Sequence, residues 1–138
     1  MRANPEPIGL KNPLDYEDAR EAMKAAGENV RAAERELSDQ ITRSAEAEAE
    51  YRKALRSKVI TLRSEGTGAT LAETLAKGDE EVLTYSRKAD IEKGMVKFRH
   101  EVLEDRRGDR ASLHKLVDYS MKVTPGWEAQ GRTFGRVA

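Results

Sequence analysis

The stretch LRSEGTGATLAETLAKGDEEVL, Leu62 to Leu83, decides how this chain folds. On both sides of it strong helix formers run on with apolar residues every three or four positions, while inside it Gly66, Gly68, Thr70, Gly78 and Asp79 break that pattern. The stretch reads either as a phosphate-binding loop or as a bend. A P-loop needs G-x-x-x-x-G-K-[ST] between a strand and a helix, so that backbone amides cradle phosphate while the lysine reaches it. Here Gly66-Thr67-Gly68 follows a helical run, and Lys77 precedes Gly78 instead of following it. A dinucleotide fingerprint fails as well, because Thr70 and Leu71 stand where its third glycine belongs. The bend reading accounts for every breaker. Gly66 supplies a left-handed stop, Thr70 and Glu73 form a capping box for a short helix over about 71–77, Gly78 ends that helix, and Asp79 caps the next.

Upstream of the bend, residues 1–11 with Pro5, Pro7 and Gly9 read as an extended arm. Asn12 can cap a helix and Pro13 suits its first position, while Asp15, Glu17 and Asp18 complement the positive helix end. From about 13 to 64 there is no further proline and Gly27 is the lone glycine. Met23, Ala26, Val30, Ala33, Leu37, Ile41, Ala45, Tyr51, Leu55, Val59 and Leu62 form the expected apolar stripe. Ser44 and Glu48 fall on that packing face as polar exceptions.

Downstream, Glu80 and Glu81 favour a helix start, and a second long helix is expected over about 80–122. Its stripe is Val82, Tyr85, Ala89, Val96, Leu103, Leu113, Val117 and Ser120. Ile91, Met95, Phe98 and Val102 add a second apolar strip beside the first. Gly94 and Gly108 lie inside this helix at about 1 kcal/mol each relative to alanine, and EDRRGDRAS around Gly108 is where a break is expected if one occurs. The fold class is therefore all-α: a long, coiled-coil-like antiparallel hairpin over 12–123 with a short helix at its bend. Because a two-helix hairpin cannot cover two apolar strips, the expectation is a homodimer forming a four-helix bundle. Residues 124–138, with Pro125, Trp127 and Phe134, have no periodicity and read as a flexible tail.

The composition narrows the function classes. The chain has 138 residues, the size of one domain, with 38% hydrophobic and 36% charged residues. Lys and Arg total 25 and Asp and Glu total 25, so no global field draws the protein to nucleic acid. The lack of cysteine excludes a disulfide framework and a thiolate zinc site. His100 and His114 are fourteen residues apart on one helix, roughly 21 Å, too far to share a metal within one chain. With no signal-peptide pattern, no membrane-length apolar run and no pocket to hold a nucleophile and base, the expectation is a cytoplasmic, non-enzymatic protein without a cofactor. Two candidate binding segments remain. Arg52, Lys53, Arg56, Lys58 and Arg63 occur without an intervening acid, with Arg52, Arg56 and Arg63 sharing much of a face; they suit phosphates or an acidic partner, and equally suit the negative pole of their own helix. Trp127 and Phe134 are candidates for a short tail motif.

The segment EYRKALRSKVITLRSEGTGATLAETLAKGDEEV, followed by a second helix ending SLHKLVDY, resembles a group of small helical-hairpin proteins of phages and prophages. The matching positions are Tyr51, Ala54, Leu55, Glu65, Gly66, Thr70, Ala76, Lys77, Gly78 and Asp79, and the likeness covers about residues 45–120. Members of that group lie among early genes for recombination and replication. The resemblance implies a cytoplasmic accessory protein working beside single-stranded DNA and its recombinase, and brings no catalytic residue with it. The leading expectation is thus a phage accessory or adaptor protein acting through protein contacts in DNA recombination or replication, with direct nucleic-acid binding secondary. The alternatives are a phage inhibitor of a host protein such as a defence nuclease, and a structural coiled coil or virion scaffold. A secreted helical-hairpin role is disfavoured, since that class carries Trp-x-Gly at its bend and this bend has no tryptophan.

Overall fold

The structure, a computed structural model, describes residues 14–123. The arm at 1–11, the Asn12 cap, Pro13, and the tail with Trp127 and Phe134 lie outside the described residues. Within them the chain is helical throughout apart from its turns, with no strand: α1 is Tyr16–Ser64, α2 is Ala69–Gly78 and α3 is Glu80–Val123. The two long helices, α1 and α3, pack together, and the chain divides into two units. One is drawn from Met1–Ala33 and Leu103–Ala138, the other is Glu34–Val102.

In the first unit α1 begins later than the sequence signals suggest. The Asp15 carboxylate accepts the Asp18 N–H at 2.8 Å, so Asp15 caps α1 and the helix starts at Tyr16. The Leu14 N–H donates to the Ser120 hydroxyl at 2.9 Å, and that hydroxyl donates to the Leu116 carbonyl at 2.9 Å. Ser120 is fully buried with both roles of its oxygen used. Around it Ala19 and Val117 form a core against which Leu14, Tyr16, Met23, Leu113 and Met121 pack. α3 runs through Gly108 without interruption, because the helix-compatible residues on either side carry it across a glycine whose conformation is ordinary.

The second unit is a helical hairpin. Its α1 face places Leu37, Gln40, Ser44, Ala47, Tyr51, Ala54 and Lys58 inward to varying degrees, and its α3 face does the same with Val82, Tyr85, Ala89, Glu92, Val96 and Arg99. Both lists alternate steps of three and four, the 3.5-residue repeat of a coiled coil. Ile41 and Ala45, expected inward, are exposed, Ile41 at 48%. The reason is arithmetic: two consecutive steps of four from Leu37 walk off a 3.5-residue seam, whereas Gln40, Ser44 and Ala47 stay on it. Cross-links between the helices confirm the antiparallel order. Arg99 meets Glu36 at 3.1 Å, Lys88 meets Glu50 at 3.5 Å, and Lys58 meets Asp79 at 3.4 Å. Midway, the buried Gln40 amide donates to the Glu92 carbonyl at 3.1 Å and to the Glu92 carboxylate, and accepts from Arg43 at 2.8 Å.

The bend between the two long helices follows most of its sequence signals. Gly66 has φ +94°, and its N–H donates to the Arg63 carbonyl at 3.1 Å while the Thr67 N–H donates to the Leu62 carbonyl at 3.1 Å. That pair of bonds is a Schellman motif, which satisfies carbonyls the end of α1 would otherwise leave open. The expected capping box does not form. α2 starts at Ala69 with Gly68 as an extended N-cap lacking a side-chain bond, and Thr70 is already inside the first turn, where its hydroxyl cannot cap. Gly78 is the last residue of α2, and Asp79 serves both neighbours. Its N–H donates to the Ala76 carbonyl at 3.2 Å, and its carboxylate accepts the Glu81 and Val82 N–H groups at 3.1 and 3.3 Å.

Candidate interaction surfaces

Among the expected contact residues of the basic segment, the structure separates two roles. Lys58 is half-buried on the hairpin seam and its ammonium lies 3.4 Å from Asp79. The Asp79 carboxyl is held below its ordinary value, first by the Val82 N–H it accepts; desolvation opposes this, and Lys58 and the Glu81 N–H lower it further. Lys58 thus fastens α1 to the cap of α3 and is not a free cation. Arg52, Lys53 and Arg56 are exposed and together with Ala45, Glu48 and Ala49 line a shallow depression on the outer face of α1. Its floor is alanine because the neighbouring long side chains rise around residues that have none. Arg52 pairs with Glu48 at 3.3 Å, a solvent-exposed i,i+4 pair that trims the positive field there. Arg63 is exposed in the last turn of α1, where a cation complements the helix pole. On α3, Arg106 is exposed and meets Asp109 at 4.0 Å, and Arg110 is exposed as well.

Two apolar surfaces stand out more than the basic one. On α2 the small residues face inward, Ala72 and Ala76 being fully buried, while Leu71 and Leu75 are 56% and 47% exposed. That orientation inverts the usual choice, in which a short helix buries its leucines. Sequence reading could not find it, since periodicity marks Leu71 and Leu75 as readily as their alanine neighbours for the interior. On α3 the second apolar strip is where its spacing places it. Ile91 is 65% and Phe98 48% exposed, and Met95 and Val102 are half-covered. The Arg99 guanidinium lies 5.7 Å from the centroid of the Phe98 ring while it pairs with Glu36, which orients one edge of the strip.

His100 is exposed and His114 half-buried. Among the described residues no group of three or more His, Cys, Asp or Glu is placed to hold a metal ion. No described helix is long and apolar enough to cross a membrane. No family model, curated protein or solved structure matches the chain.

Proposed function

We propose that this protein is a non-enzymatic accessory or adaptor of phage origin, acting in the cytoplasm through protein–protein contacts in DNA recombination or replication. The observation that carries the contact reading is the outward pair Leu71 and Leu75 on α2. Two exposed leucines one turn apart, on a helix fastened at both ends by the Gly66 and Asp79 turns, suit an anchor for a groove on another protein. The recombination and replication setting comes from the resemblance of residues 45–120 to phage hairpin proteins. In this reading the protein self-associates and offers the bend end to its partner.

The test uses a phage recombinase and a phage single-stranded-DNA-binding protein. Purified full-length protein should bind one of them, and Leu71→Asp with Leu75→Asp should abolish that binding while leaving the circular-dichroism spectrum unchanged. Failure to bind either protein, or binding indifferent to both substitutions, refutes the reading. A second reading, direct contact with single-stranded DNA, is favoured by Arg52, Lys53 and Arg56 around the alanine-floored depression. It requires salt-dependent binding that falls when Arg52, Arg56 and Arg63 are replaced.

A further inference from the structure

Gly94 is exposed in the middle of α3, and a Cβ built there meets nothing within 4 Å. Nothing among the described residues therefore requires glycine at a position where alanine would favour the helix. With 3.6 residues per turn, Arg87, Gly94 and Glu101 fall along one line of α3 at seven-residue spacing. On one side of that line lie Ile91, Met95, Phe98 and Val102. On the other lie Asp90 and Lys97. All four charged residues, Arg87, Asp90, Lys97 and Glu101, are exposed, and none is ion-paired with another described residue.

The order of these charges is what identifies the occupant. Read along the helix from Arg87, they run positive, negative, glycine, positive, negative. Turned end for end about Gly94, the same surface puts Arg87 opposite Glu101 and Asp90 opposite Lys97. In an antiparallel pair related by a two-fold axis each flank meets its own flank. The apolar flank therefore meets itself too, Ile91 against Phe98 and Met95 against Met95. A parallel pairing fails this condition, because it sets Arg87 against Arg87 and Glu101 against Glu101.

We propose that this face of α3 is a self-association surface, on which a second copy of the chain packs antiparallel with its own α3, the two crossing at Gly94. The glycine lets the helix backbones approach, the apolar flank supplies burial, and the alternating charges fix direction and register. This gives the self-association mentioned above a definite surface and rests on that part of the reading alone. It needs neither DNA nor a third protein.

The test is a charge-swap mixing experiment on full-length protein, read by analytical ultracentrifugation and by energy transfer between labelled copies. Arg87→Glu makes both symmetry-related contacts acidic against acidic, and Glu101→Arg makes both basic against basic. Each variant alone should self-associate at least about tenfold more weakly than wild type at low salt, with unchanged helicity. Mixed together they restore two opposite-charge contacts, so a heterodimer should form with close to wild-type affinity, as should the Arg87→Glu, Glu101→Arg double variant with itself. A wild-type protein that is monomeric at every concentration overturns self-association itself. A wild-type dimer whose affinity ignores both substitutions, or single variants that do not recover on mixing, overturns this surface while leaving self-association standing.

Discussion

Replacing Gln40 tests the reasoning about the hairpin most sharply, because it is a polar side chain 2% exposed on the packing seam. Its amide donates to the Glu92 backbone and carboxylate and accepts from Arg43, and Arg43 also lies 3.9 Å from the Glu92 carboxylate. Gln40→Ala removes a bond to a charged group, about 1.5–3 kcal/mol, and opens a partly collapsible gap. The Glu92 side chain is 23% exposed and keeps Arg43, so it is not stranded. The expected loss is about 2–4 kcal/mol, or roughly 1–2 M in the urea midpoint at an m-value of about 2 kcal/mol/M. Glu92→Leu should also destabilise, since it leaves a buried amide facing an apolar group. Gln40→Leu with Glu92→Leu should be close to wild type, because neither polar group then remains to be satisfied. Urea unfolding of wild type, Gln40→Leu, Glu92→Leu and the double-leucine variant gives the coupling energy directly. If Gln40→Ala lies within about 0.5 kcal/mol of wild type, or if the double-leucine cost is the sum of the single costs, the network does not hold the seam.

The other expectations concern the bend and α3. Asp79 has a carboxyl lowered from its ordinary value of 3.8 by the α3 N–H groups and Lys58. Its contribution is therefore present above that value and lost as pH falls through the lower folded one, so Asp79→Asn should flatten the stability profile below about pH 4 in thermal scans. Gly66→Ala should cost about 1–2 kcal/mol in denaturant unfolding, all of it backbone strain, since φ is +94° and a Cβ meets no neighbour. A loss below a few tenths would mean that the turn is not left-handed in solution. Gly108→Ala should do the opposite and stabilise by about 1 kcal/mol, because α3 is continuous there and the site is open; destabilisation would indicate a break in the helix.

Much of this fold was legible because its signals are local. Gly66 and Asp79 are single residues whose conformational freedom and carboxylate each dictate one turn, and both act as read. Thr70 misled because a capping box depends on where the helix starts, and Gly68 starts α2 two residues earlier than the threonine suggests. The seam of α1 was misread at Ile41 and Ala45 for a different reason. Hydrophobicity points to isoleucine, whereas the seam follows a 3.5-residue geometry and accepts Gln40 because Glu92 and Arg43 are there to satisfy it. Lys58 could not be recognised as a seam residue until its partner Asp79 was known to lie opposite. The apolar strip of α3 was legible as a pattern, but the inversion of α2 was not, since burial of alanine over leucine is decided by how closely neighbouring backbone approaches.

The seam chemistry bears on what the protein does. In the hairpin unit it includes Ala47, Ala54 and Ala89, with polar Gln40, Ser44, Lys58, Glu92 and Arg99 among them, while Ile41, Ile60, Leu71, Leu75, Ile91 and Phe98 remain exposed. Alanine contributes little apolar area, and a satisfied polar pair contributes more to register than to stability. A hairpin built this way gets its direction from its seam and has several of its large apolar side chains left over on the outside. Burying them in an association would stabilise the fold as well as the complex, by mass action on the native state. The polar register of the seam and the apolar residues outside it are thus two sides of one arrangement, in which the chain is aligned by its own contacts and would be consolidated by the association proposed above.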